Sequence, residues 1–206
     1  MLLEISLSAT TFVHADVDVK QIYNADFSRL VRLYAKAKHG DAEAQYTIAV
    51  MYDNGESVVE DDKEALKWYR KAAEQGNVYA QNNLATMYDN GGKGILEDDK
   101  EALKWYRKSA EQGYVNAQYN LALMYDNGGK GVLENNKEAV IWYQKVAEQG
   151  YANAQYNLGL MYQYGEGVVK DMTKAKYWIK KACEGGDAKV SKIAEENWKR
   201  FELWKY

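Results

Sequence analysis

The sequence predicts an all-α solenoid, a stack of helix-turn-helix units, on three observations. The stretch "DDKEALKWYRKAAEQG" at 61–76 returns at 98–113 with one residue changed, then as "NNKEAVIWYQKVAEQG" at 135–150 and, more loosely, as "DMTKAKYWIKKACEGG" at 171–186. Gly40, Gly76, Gly113, Gly150 and Gly186 mark a period of about 36 to 37 residues, the range in which helical solenoids occur. Within each period apolar residues recur at helical spacing, with room for two short helices and two turns.

In chain order, "MLLEISLSATTFVHA" at 1–15 is apolar and small, with Glu4 its only charge. Val13 and Ala15 stand three and one residues before a cut in the small-residue pattern that a signal peptidase accepts, which favours export with a mature chain starting at Asp16. A leader on a cytoplasmic protein is the competing expectation, because the basic n-region is missing. Residues 16–39 are read as an N-terminal capping helix, 40–186 as four repeats (40–75, 76–112, 113–149 and 150–186), and 187–206 as a C-terminal capping helix.

The first helix of a repeat reads "AQYNLALMYDNG" at 117–128, with relatives from Ala44, Ala80 and Ala154. Ala117, Leu121, Ala122 and Tyr125 fall on one face, which must be buried. In the fourth copy Gly159 replaces the small Ala, where a neighbouring helix comes close. The second helix starts at an N-cap, Asp61, Asp98, Asn135 or Asp171. Glu64, Glu101 and Glu138 stand three residues on and predict a reciprocal capping box, which Lys174 breaks in the fourth copy. Ala65, Trp68, Tyr69 and Ala72 and their counterparts form an apolar stripe read as core rather than as a ligand-stacking row. Between the helices a Gly allows the chain to leave with positive φ, and an apolar pair such as Val58 and Val59 is expected to tuck underneath. Copies two and three carry one extra residue there.

Composition narrows the function. The net charge is −3 over 206 residues, and basic residues are dispersed among acidic ones, which argues against nucleic acid as a partner. No run of about 18 apolar residues suggests a membrane span. The single cysteine, Cys183, allows neither an intrachain disulfide nor a multi-cysteine metal site, and it stands at a packed Ala position as an inert thiol. The two histidines, His14 and His39, lie outside the repeats, so no Ser-His-Asp or Cys-His set can be assembled from them. "DNGGKGILEDDK" fails as a phosphate loop, because Gly94 rather than Ser or Thr follows Lys93. It fails as a calcium loop, because Gly91, Lys93 and Lys100 occupy ligand places. No cofactor or metal is expected.

These residues resemble the Sel1-like repeat, a relative of the tetratricopeptide repeat. The shared pattern is Ala-Gln, Leu-Ala or Leu-Gly, Met-Tyr, a Gly-rich loop, Asp, Lys-Ala, Trp-Tyr and Ala-Ala-Glu-Gln-Gly, and it extends from Gly40 to Gly186. The resemblance implies a right-handed α/α superhelix whose first helices line a concave groove for a peptide or partner protein. It implies a non-enzymatic interaction scaffold; the sequence leaves the oligomeric state open, with a monomer favoured. The alternative is a hydrolase acting on cell-wall or β-lactam substrates. Some cysteine-rich secreted members are linked to penicillin binding, but they carry paired cysteines that this chain lacks.

On the groove face the resemblance singles out Asn83, Asn120 and Asn157, with Thr47 in the first copy, at a position where Asn bonds the backbone of an extended peptide in tetratricopeptide domains. A carboxamide offers both a donor and an acceptor, as a peptide backbone does. Beside them are expected Tyr46, Asn82, Tyr119 and Tyr156, and one turn on Val50, Thr86, Leu123 and Leu160. Asp53, Asp89 and Asp126 sit at the edge without Lys or Arg, so the groove should prefer a neutral or basic segment.

Overall fold

The computed structural model describes residues 28–205. The expected leader at 1–15, its cut before Asp16 and the first part of the expected capping segment, 16–27, lie outside the described residues. Helix α1 covers 28–38. Four pairs follow: α2 Ala42–Asn54 with α3 Asp62–Glu74, α4 Val78–Asn90 with α5 Asp99–Glu111, α6 Val115–Asn127 with α7 Asn136–Glu148, and α8 Ala152–Tyr164 with α9 Met172–Glu184. Helix α10, Ala188–Arg200, and a 3-10 turn, Leu203–Lys205, end the described chain. The members of each pair lie against each other, and the second helix of each pair lies against the first helix of the next. That order of contacts is an α/α solenoid.

Capping starts the second helices, but only half of the predicted box forms. Asp61 accepts from the Lys63 and Glu64 N–H groups, and Asp98, Asn135 and Asp171 each accept from the residue three places on. The return bond is not made, because the backbone N–H of each cap donates to the carbonyl of Tyr52, Tyr88, Tyr125 or Tyr162 at 2.7–2.9 Å. Glu64 and Glu101 turn outward to Lys67 and Lys104 at 2.5 and 2.9 Å. Lys174 in the fourth copy therefore removes nothing from the cap, since Asp171 still accepts from its N–H.

The stripe of the second helices is core. Tyr69, Tyr106 and Tyr143 are fully buried, and Trp68, Trp105 and Trp142 are buried beside them. Burial of such a ring contributes about 1.5–3 kcal/mol. Against them pack Ile48, Leu84, Leu121 and Leu158 from the first helices. Helix α1 has the form of a second helix whose pairing face is polar: Arg29, Arg32 and Lys36 occupy the places of Ala65, Trp68 and Ala72.

The loops correct one expectation. Of each apolar pair only the first residue tucks in: Ile95 and Val132 are buried, while Val59, Leu96, Leu133 and Val169 are 86–88% exposed. In copies two and three a one-bridge turn, Gly92 to Ile95 and Gly129 to Val132, holds the tucked residue. The extra residue there has a use. It brings the backbone N–H of Lys93 to Asp62 Oδ2 at 2.7 Å and that of Lys130 to Asp99 Oδ2 at 2.5 Å, so each loop docks on the preceding repeat.

Candidate functional site

Each first helix presents a partly exposed line at spacings of four, three and four residues: Glu43, Thr47, Val50 and Asn54 on α2, Tyr79, Asn83, Thr86 and Asn90 on α4, Asn116, Asn120, Leu123 and Asn127 on α6, and Asn153, Asn157, Leu160 and Tyr164 on α8. Such spacing keeps the four on one face of an α-helix. Tyr46, Tyr119 and Tyr156 flank the line and are half-buried. Asn82 is a correction: it is only 8% exposed and donates to Asn83 Oδ1 at 3.3 Å, so it belongs to the interior. It stands where the other copies place a tyrosine, and the smaller amide sinks between the helices.

The recurring Asn residues have partners within the fold. Asn83 Nδ2 donates to the Tyr69 hydroxyl at 3.0 Å and Asn157 Nδ2 to the Tyr143 hydroxyl at 3.1 Å. Asn120 stands beside Tyr106, whose hydroxyl lies 3.1 Å from Thr86 Oγ1. Each hydroxyl in turn donates to an aspartate at the end of the preceding first helix: Tyr69 to Asp53 at 2.9 Å, Tyr106 to Asp89 at 3.3 Å and Tyr143 to Asp126 at 3.0 Å. An Asp–Tyr–Asn chain therefore crosses the first and third of these repeat junctions, and at the second Tyr106 joins Asp89 with Thr86 in place of the Asn. Burial pushes the tyrosine hydroxyls far above their ordinary pKa, so they stay protonated and keep donating. Burial also raises the Asp89 and Asp126 carboxyls, a shift that the tyrosine donors oppose.

A second set of polar groups was missed from the sequence. Gln45, Gln81, Gln118 and Gln155 are buried, and each Nε2 donates to a carbonyl at the end of the preceding second helix, Ala37, Ala73, Ala110 or Ala147, at 2.9–3.1 Å. Gln75, Gln112 and Gln149, which close the second helices, donate to Oε1 of the first three at 2.7, 2.7 and 3.2 Å. The signal was present as the paired Gln of "AQ" and "EQG" in each of the first three copies. Also missed was an aromatic edge, in which the Tyr79 ring lies 5.8 Å from Tyr46 and 5.3 Å from Tyr114.

No metal or catalytic role was assigned from the sequence, and among the described residues no three His, Cys, Asp or Glu side chains are grouped to hold a metal ion. Cys183 is half-buried, and burial raises its thiol pKa. No helix of the described residues is long and apolar enough to cross a membrane.

Comparison with known proteins agrees with this geometry. Residues 42–77, 78–114, 115–151 and 152–187 each match the family profile described as Sel1 repeat. A protective antigen present in uropathogenic Escherichia coli strains, with an SLR fold, is 37% identical over 82% of this chain with a TM-score of 0.72, and this chain spans 36% of its length. A Sel1 repeat protein from Oxalobacter formigenes is 34% identical, with a TM-score of 0.71, over 83% of this chain and 67% of its own.

Proposed function

The chain belongs to the Sel1 repeat family, and on that premise we propose that it is a non-enzymatic scaffold that binds a protein or extended peptide along the line of its first helices. The observation that carries this reading is the repetition of one partly exposed face on α4, α6 and α8 over a framework of buried and half-buried hydrogen bonds. A rigid framework lowers the ordering cost of association. Leu123 and Leu160, with Tyr46, Tyr119 and Tyr156 beside them, supply apolar contact area, and Asn83 and Asn157 are each oriented by a tyrosine for contact with a backbone. Asn83, Asn120 and Asn157 thus act at the floor of the groove, and Asn82 drops out of the contact set.

Capture by the immobilised full chain, followed by comparison of two double variants, tests the reading. Leu123→Lys with Leu160→Lys places charges in the groove, whereas Leu96→Lys with Leu133→Lys places them on the exposed loop edge. Loss of a captured partner in the first pair and its retention in the second is the expected result. The reverse pattern would move the binding surface to the loops.

A further inference from the structure

The proposed groove is graded in charge. A cavity of about 280 Å³ opens between the first and second repeats, lined among others by Asp53, Asp62, Asn83, Thr86 and Asn90, with no Lys or Arg in its wall. Both carboxylates are held in place from behind. Asp53 Oδ2 accepts from the Tyr69 hydroxyl at 2.9 Å and Asp62 Oδ2 from the Lys93 N–H at 2.7 Å. The hydrogen bonds among the described residues leave Oδ1 of each Asp for a ligand. At the following junctions the first carboxylate becomes Asp89, Asp126 and then Gln163, and the second becomes Asp99, Asn136 and then Met172. Thr86 is replaced by Leu123 and Leu160 over the same course. Negative charge and polarity at these places thus fall from the first junction to the third, and at the fourth Glu196 stands at the place of Leu160.

We propose that this cavity takes the guanidinium of an arginine in the bound segment, whose apolar residues then lie toward Leu123 and Leu160. Two carboxylate oxygens flanked by amide and hydroxyl acceptors match a planar group that carries five N–H donors and no acceptor. The gradient gives the segment one direction along the array, since the reversed orientation would leave the cation one carboxylate, Asp126, beside Leu160 and Tyr164, and leave Asp53 and Asp62 unpaired.

This inference rests on the groove reading, and its test uses a probe that needs no partner. N-acetyl-arginine methylamide and its neutral isostere N-acetyl-citrulline methylamide are titrated into the ¹⁵N-labelled full chain. The arginine derivative is expected to shift the amide resonances of Asn83, Thr86 and Asn90 saturably, less so at high salt, and to bind at least about tenfold more tightly than the citrulline derivative. Asp53→Asn with Asp62→Asn still accepts from Tyr69 and Lys93, so this variant should keep its circular dichroism while losing the response. Equal responses to the two probes, no saturable shift, or a response unchanged in the double variant would each overturn the proposal. If the probe fails while Leu123→Lys with Leu160→Lys still abolishes capture of a partner, the cavity assignment alone is removed. If those leucine variants retain the partner, the groove reading falls.

Discussion

Asn157 donates to the Tyr143 hydroxyl at 3.1 Å across the boundary between the third and fourth repeats. The chain has Asn at this place only where the preceding second helix supplies a tyrosine. Where that tyrosine is replaced by Leu33 or Ile179, the Asn is replaced by Thr47 or Ile193, and at the latter junction Gln163 also stands where an Asp would be. An amide in mid-helix costs about 0.6 kcal/mol relative to Ala, and a neutral hydrogen bond offsets this with about 1 kcal/mol. We expect Asn157→Ala to destabilise the protein by roughly 0.5 kcal/mol and Tyr143→Phe by about 1–3 kcal/mol, because Phe strips both Asp126 and Asn157 of a partner. In the Tyr143→Phe background, Asn157→Ala should be neutral or slightly stabilising. Denaturant titration of the four proteins measures the coupling, and equal costs of the Ala change in both backgrounds would make the bond irrelevant to stability.

The half-buried Asp89 and Asp126 predict a pH trend. Burial raises the Asp126 carboxyl above its ordinary value, with Tyr143 opposing and Glu134 adding, and it raises Asp89 likewise with Tyr106 opposing. A carboxyl whose folded pKa lies above its unfolded one binds its proton more readily in the folded protein. Stability is therefore lost as pH rises from the ordinary carboxylate value through the folded one, and at neutral pH the cost is fully present. Asp89→Asn with Asp126→Asn keeps an acceptor for each tyrosine and removes the charge. This variant should have a higher Tm at pH 7 and a flatter Tm profile across that interval. A lower Tm at pH 7 would mean that the bond from tyrosine to a charged acceptor outweighs desolvation.

The helices and their order could be read from the repeated sentence, because capping residues and a 3.6-residue stripe are local signals. What could not be read joins residues about one repeat apart. A tyrosine in an apolar stripe reads as core, and Tyr143 is core, yet its hydroxyl organises the face above it. The extra residue in the second and third loops looked like tolerance of insertion. Its effect appears only when Lys93 meets Asp62 in the preceding repeat. Where the following loop is one residue shorter, the corresponding Asn136 keeps a buried Oδ1 with no partner. Gly159 was legible as a small contact, but its reason is the β-branched Ile179, whose Cγ1 would stand 2.6 Å from an added Cβ.

Trp105 should be among the most costly side chains to truncate. It is 5% exposed, its Nε1 donates to Glu101 Oε2 at 3.2 Å, and Lys108 Nζ lies 4.3 Å from its ring centre. Trp105→Ala should cost about 3–5 kcal/mol through lost burial and the cavity left behind. Trp178, at the same place in the fourth repeat, is only half-buried, so its truncation should cost nearer about 1.5 kcal/mol. Urea midpoints compare the two. Equal shifts would contradict the difference in burial on which this expectation rests.

The Gln relay offers a stabilising change. In the first three repeats the buried Gln accepts from the Gln that closes the second helix, but in the fourth that closing residue is Gly185, and Gln155 Oε1 is buried without a partner. Gly185 has φ −74° and ψ 1°, close to the −81° and 0° of Gln112, so a side chain needs no change of backbone conformation. A Cβ there would meet the Ala152 Cβ at 3.0 Å, which asks for a shift of a few tenths of an ångström. In the other repeats Gln112 and Gln149 occupy the equivalent position beside Val78 and Val115, which are larger than Ala152, so the fold accommodates that contact. Gly185→Gln supplies the missing donor and narrows the unfolded ensemble. We expect a gain of roughly 0.5–1.5 kcal/mol. The control is Gly185→Ala, which carries the same Cβ and restricts the unfolded chain without the amide. If the Gln variant is no more stable than the Ala variant in thermal and urea melts, the relay contributes nothing at this junction, and the unpaired oxygen of Gln155 is satisfied by other means.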